Sequence, residues 1–129
     1  MLIRTMGLVG SLLLASILAL AGCDDDSTSS QMSAREEVVQ HTCDRAQGCG
    51  LIGAGLTYQN RDDCQTRAAG TVQTAWPPAD CDGRIDETQF RACLAGIDAI
   101  QCESAALDAV SLFTLGACAK SRVCSATPE

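Results

Sequence analysis

Aromatic side chains are scarce, with one Trp, one Tyr and two Phe in 129 residues. Each ring normally buries about 150–250 Å² of surface, so a chain this poor in them must be held together by other means. Histidine is almost missing as well: His41 stands alone. Nucleophilic catalysis needs a base and an orienter held together beside a nucleophile. His41 is accompanied by no such motif and reads as an exposed or half-exposed helix residue. The sequence therefore predicts no catalytic residues, no cofactor and no enzyme activity. Lys and Arg number nine against sixteen acids and form no cluster, which excludes the basic footprint of a nucleic-acid binder.

What the chain has in quantity is cysteine. Eight of its nine cysteines lie in the last ninety or so residues: Cys43, Cys49, Cys64, Cys81, Cys93, Cys102, Cys118 and Cys124. Zinc and iron–sulfur sites draw on short Cys-x-x-Cys pairs. The closest spacing here is six residues, Cys43 to Cys49 and Cys118 to Cys124, so no metal is expected. An even number of cysteines in a small exported domain predicts a disulfide framework. Four bridges at about 2–4 kcal/mol each supply what the missing aromatic rings do not.

Export is read from the amino terminus. One cation, Arg4, precedes an apolar run from Leu8 to Leu20, shorter than the ~20 residues a membrane-spanning helix needs. Residues 1–22 are thus expected to be a signal peptide. The segment Leu20-Ala21-Gly22-Cys23 resembles the lipobox of bacterial lipoproteins. That resemblance implies cleavage before Cys23, a diacylglyceryl group on its thiol and often an acyl chain on the freed amine. It makes Cys23 the lipidation site and the lipid the membrane contact. One acyl chain binds only marginally, whereas two or three anchor stably. Loss of residues 1–22 removes Arg4 and no acid, taking the formal charge from −7 to −8. Residues 23–32 are polar and acidic and read as a flexible tether. An Asp directly after the lipidated cysteine resembles an inner-membrane retention signal of some bacteria. The expected location is the cell envelope, on the inner or outer membrane, with the domain in the periplasm or at the cell surface.

Residues 33–129 read as one all-α, disulfide-stapled domain of four helices. Ser33-Ala34-Arg35-Glu36 has the form of a capping box, and Val39, Cys43 and Ala46 share a face until Gly48, predicting a helix over 33–47. Gly50 to Tyr58 carries three glycines and reads as a loop packing a few apolar side chains. Asn60, Asp62 and Asp63 open a second helix, whose Cys64, Ala68, Val72 and Ala75 or Trp76 repeat at about 3.6 residues before Pro77-Pro78 ends it. Trp76 is the expected core anchor.

The stretch from Pro78 to Phe90 mimics a calcium-binding loop, with Asp80, Asp82, Gly83, Ile85 and Asp86 in matching places. Its end positions hold Pro78 and Gln89 instead of an acidic side chain and a bidentate Glu. The same letters spell a helix start: Asp82-Gly83 a turn, Asp86 to Gln89 a capping box, Ile85 and Phe90 a hydrophobic staple. A third helix carrying Phe90, Cys93, Leu94 and Ile97 follows. A fourth is expected from near Ser104 through Leu107, Val110 and Thr114 toward Cys118.

Eight cysteines allow 105 connectivities. An antiparallel hairpin of the first two helices brings Cys49 to Cys64, and Cys93 with Cys102 staples the next turn. Cys43, Cys81, Cys118 and Cys124 then join the early and late parts of the chain.

The pattern Cys43-Asp44-Arg45, Cys49-Gly50, Cys64, Trp76-Pro77-Pro78-Ala79-Asp80-Cys81, Gly83-Arg84-Ile85, Cys93-Leu94, Ile97, Cys102, Cys118 and Cys124 resembles a family of small cysteine-rich bacterial lipoproteins. Some members are labelled natural-product-biosynthesis lipoproteins. The resemblance implies no catalytic residue. Plant-type lipid-transfer proteins carry adjacent cysteines that are absent here, and secreted phospholipases use a His-Asp dyad with calcium. The expected function is a binding or structural module at the envelope with a protein or small-molecule partner, or else an accessory or carrier for a secreted natural product.

Overall fold

The computed structural model describes residues 31–103, 113 and 116–127. These form an all-α domain without a strand among the described residues, apart from an isolated bridge between Ile52 and Tyr58. Three helices are long: α1 (Gln31–Gly48), α2 (Arg61–Ala75) and α4 (Glu87–Asp98). Two are single turns, α3 (Pro78–Cys81) and α5 (Lys120–Val123). The fourth long helix expected from Ser104 falls outside the described residues, except that Phe113 is helical and half-buried. The signal peptide and Cys23 also lie outside them. No described helix is long and apolar enough to cross a membrane.

Helix α1 starts two residues earlier than its sequence signals indicate. Ser33 lies inside the helix, so the Ser33–Glu36 box does not cap it, and Gln31 and Met32 belong to the domain and not to the tether. The cause is tertiary: the Gln31 side chain is buried and donates to the Trp76 carbonyl at 2.8 Å. Helices α2 and α4 start where local chemistry puts them. The Asn60 side chain accepts from the Asp63 N–H, and the Asp86 side chain accepts from the Gln89 N–H, both at 2.9 Å. Ile85 and Phe90, on either side of that second cap, are both buried.

Side-chain ties give the packing directions. Arg61 at the start of α2 reaches Gln40, Asp44 and Gln47 near the end of α1, while Gln31 meets Trp76 at the other end. These two helices are antiparallel. Along α4 the order runs the other way: Arg91 faces Glu37, Asp98 faces His41, and the Ile100 carbonyl accepts from Arg45. Helices α1 and α4 are therefore parallel, with α1 central.

Trp76 is fully buried. Its ring stands edge-on to Phe90 at 6.4 Å and to Phe113 at 5.5 Å, and its Nε1–H donates to the Cys118 carbonyl at 3.0 Å. Val38, Val72, Ile85, Ile97 and Val123 belong to the same buried core. Three of the four aromatic rings thus meet at one point, and the buried cystines are part of the same core.

All eight cysteines after Cys23 are paired: Cys43–Cys64, Cys49–Cys102, Cys81–Cys124 and Cys93–Cys118. The full pairing agrees with expectation, but the two local staples do not form, and Cys43, Cys81, Cys118 and Cys124 do not join the early and late parts: Cys43 is taken by Cys64 and Cys118 by Cys93, Cys81–Cys124 stays within the later part, and the link between the parts is Cys49–Cys102. Cys49 does not bond Cys64, because the loop after α1 folds back on itself through the Ile52–Tyr58 bridge. It brings the first turn of α2 level with Cys43, five residues or about 7.5 Å before the end of α1. Cys93 does not bond Cys102, because Cys93 sits mid-helix on the buried face of α4 and Cys102 lies beyond that helix's end. The distance is too great for a disulfide, whose Cα atoms are about 4.4–6.8 Å apart.

Candidate functional site

Among the described residues, two concavities lie on the two flanks of α2. Helix geometry places them there: Cys64, Ala68 and Val72 face the core, which leaves Gln65, Thr66, Ala69 and Gln73 on one side and Arg67, Gly70, Thr71 and Thr74 on the other. The first set, with Met32, Arg35, Glu36 and Val39 of α1, lines an open cleft of about 520 Å³. Met32 is 81% exposed at its rim. The second set, with Ala75, Phe113 and Lys120, lines an open cleft of about 640 Å³.

The second cleft is more apolar than its letters suggest. The Thr71 and Thr74 hydroxyls donate back to the carbonyls of Arg67 and Gly70, at 3.1 and 3.0 Å, and so spend their polarity on the helix itself. Arg67 is held at the rim by Asp63, at 2.9 Å, and lies over the Tyr58 ring at 5.7 Å. Lys120 is paired with Asp80. Both surfaces are shallow and mostly apolar, and the cations Arg67 and Lys120 at the rim of the second are paired with acids.

The calcium-like segment is occupied otherwise. The Asp80 carboxylate pairs with Lys120, the Asp86 carboxylate caps α4, Cys81 is bridged to Cys124, and Gly83 takes a φ of 66° in the turn. Among the described residues no three His, Cys, Asp or Glu side chains converge as metal ligands.

His41 is half-exposed, and the structure gives it an orienter that the sequence did not reveal. Its Nδ1 lies 2.9 Å from Asp98 Oδ1, 57 positions away. The two side chains are 33% and 57% exposed, which makes them a solvated tie between α1 and α4. One turn toward the start of α1, Arg91 meets Glu37 and Glu87. The hydrogen bond and charge of Glu87, with Glu37 adding, hold the Arg91 guanidinium above its ordinary pKa. No local motif marks the His41–Asp98 pair.

A family profile matches residues 43–126, from the first bridged cysteine to two residues past the last. The chain belongs to DUF6184, a family of unknown function. Comparison with curated proteins and with solved structures gives no match. The DUF6184 segment contains all four bridges and both α2 flanks, whereas the α1 wall of the first cleft, Met32 to Val39, precedes it.

Proposed function

We propose that this DUF6184 protein is a lipid-anchored lipoprotein of the bacterial envelope, and that its helical domain is a binding module displayed beside the membrane. One observation carries the reading. Four bridges consume eight of the nine cysteines, so Cys23 has no cysteine left within the chain to pair with, and it stands where a lipobox places the acylated residue. A leftover thiol in an oxidising compartment calls for a modification or an intermolecular partner, and a thioether to diacylglycerol removes it. Gln31 lies eight positions after Cys23, a span of at most about 28 Å, so the domain stays near the lipid. The reading assigns no catalytic group and no cofactor.

Feeding cells a fatty acid bearing an alkyne, followed by fractionation, tests it. The protein should carry the label and sediment with membranes, and Cys23→Ser should lose both properties. Full membrane retention of Cys23→Ser overturns the anchor.

A second reading, accessory or carrier for a secreted natural product, is favoured by the two open, apolar-lined clefts. Native mass spectrometry of protein taken from producing cells should then show a small-molecule adduct that Ala69→Trp, which fills the first cleft, removes. An adduct-free mass for the wild type leaves a protein partner as the function.

A further inference from the structure

The four disulfides differ in access. Cys43, Cys64, Cys81 and Cys93 are fully buried, and Cys118 and Cys124 are 3% and 7% exposed. Cys49 is partly exposed and Cys102, in the turn after α4, is exposed. Exchange requires a thiolate to reach a sulfur, so access selects the bridge that reacts. Only one of the four offers it.

The same bridge holds a special place in the covalent topology. Cys43–Cys64 closes a loop in the first part of the chain, while Cys93–Cys118 is nested inside Cys81–Cys124 in the second. Cys49–Cys102, with a separation of 53, is the only bridge that joins the two parts. We propose that Cys49–Cys102 is the exchangeable disulfide of this domain, a modification site for a dithiol reductant or a dithiol oxidoreductase.

The step runs as ordinary exchange. A thiolate of the dithiol attacks Cys102 Sγ, the more accessible end; a mixed disulfide forms and Cys49 leaves as a thiolate. The second thiol of the reagent, deprotonated, attacks its own sulfur in that mixed disulfide and releases Cys102. The reagent becomes a disulfide, Cys49 and Cys102 each take up a proton, and two electrons have passed to the domain. Glu103 adjoins Cys102 and the chain is acidic overall, so a neutral or protein-borne dithiol approaches more readily than anionic glutathione.

Reduction at this point leaves the fold standing. The Arg45 hydrogen bond to the Ile100 carbonyl and the His41–Asp98 pair still join α1 to the end of α4, and the three buried bridges are untouched. What changes is that the two parts of the domain lose their one disulfide link.

Graded dithiothreitol on the folded, full mature protein tests this. Samples are quenched with N-ethylmaleimide, mapped by peptide mass spectrometry and followed in parallel by circular dichroism. Cys49 and Cys102 should be labelled together, at least tenfold faster than any other cysteine, while the helical signal is unchanged. Simultaneous labelling of all eight cysteines, or earlier labelling of a buried pair, overturns the proposal. The double variant Cys49→Ser/Cys102→Ser should lack the fast phase; if it does not fold, the wild-type labelling order decides alone. Incubation with a thioredoxin-fold oxidoreductase lacking its resolving cysteine should trap a mixed disulfide on Cys102. Capture through any other cysteine, or no capture, counts against the proposed site.

Discussion

Gln31 and Trp76 are 45 positions apart, and the side-chain amide of the first donates to the backbone carbonyl of the second at 2.8 Å within the protein interior. This contact closes the end of the α1–α2 pair opposite the loop. Gln31→Ala leaves a buried carbonyl without its donor, a loss of about 1–3 kcal/mol. Urea denaturation followed by Trp76 fluorescence should show a midpoint lowered accordingly. An unchanged midpoint means that α1 starts later than Gln31 in solution.

Trp76 itself should be the most costly single truncation in the domain. Trp76→Ala removes the ring against which Phe90 and Phe113 stand edge-on, at about 3–5 kcal/mol. Trp76→Phe keeps most of the volume and loses the hydrogen bond to the Cys118 carbonyl, so it should cost about 1–3 kcal/mol. Thermal unfolding by circular dichroism gives both values, and a Trp76→Phe variant as stable as the wild type excludes a role for the Nε1–H.

The Asp86 cap separates the two readings of the calcium-like segment. Asp86→Ala should destabilise the domain by about 0.5–2 kcal/mol, with or without calcium. Millimolar calcium should leave the wild-type melting temperature where it is, whereas a ligand at a hundred times its dissociation constant adds about 2.7 kcal/mol. A calcium-dependent rise that Asp86→Ala abolishes reverses the assignment.

Thr42 predicts a gain. Its hydroxyl is buried on α1 with no hydrogen-bond partner, although the side chain is flanked by core positions. Thr42→Val keeps the shape and removes an unsatisfied polar atom, and should stabilise by roughly 1 kcal/mol. A lower urea midpoint for the variant indicates a bound water or an internal acceptor at that oxygen.

The starts of α2 and α4 were legible because a cap is a contact across three residues: Asn60 to Asp63, Asp86 to Gln89. The buried faces were legible because a period of 3.6 puts Cys64, Ala68 and Val72, or Phe90, Cys93, Leu94 and Ile97, on one side. The disulfide partners were not. Their pairing depends on how far α1 continues past Cys43 and on a loop that turns back through Ile52 and Tyr58, and neither is encoded at short range. The beginning of α1 was misread for a similar reason, since a local box at Ser33 competes with a buried partner on another helix. The cleft beside Thr71 and Thr74 was invisible in the letters because a Thr that bonds its own helix presents a methyl group where its name suggests a hydroxyl.

The overlap of the four bridges has a consequence for resistance to proteolysis. Every peptide bond between Cys43 and Cys124 lies inside at least one closed covalent ring. A protease that cuts once anywhere in that stretch therefore releases nothing, and the nicked domain keeps its mass on a non-reducing gel. Between Cys64 and Cys81 that guarantee rests on Cys49–Cys102 alone. A cut in the second half of α2 is harmless while the exposed cystine is intact, and it becomes a separation of the molecule into two pieces once that cystine is opened.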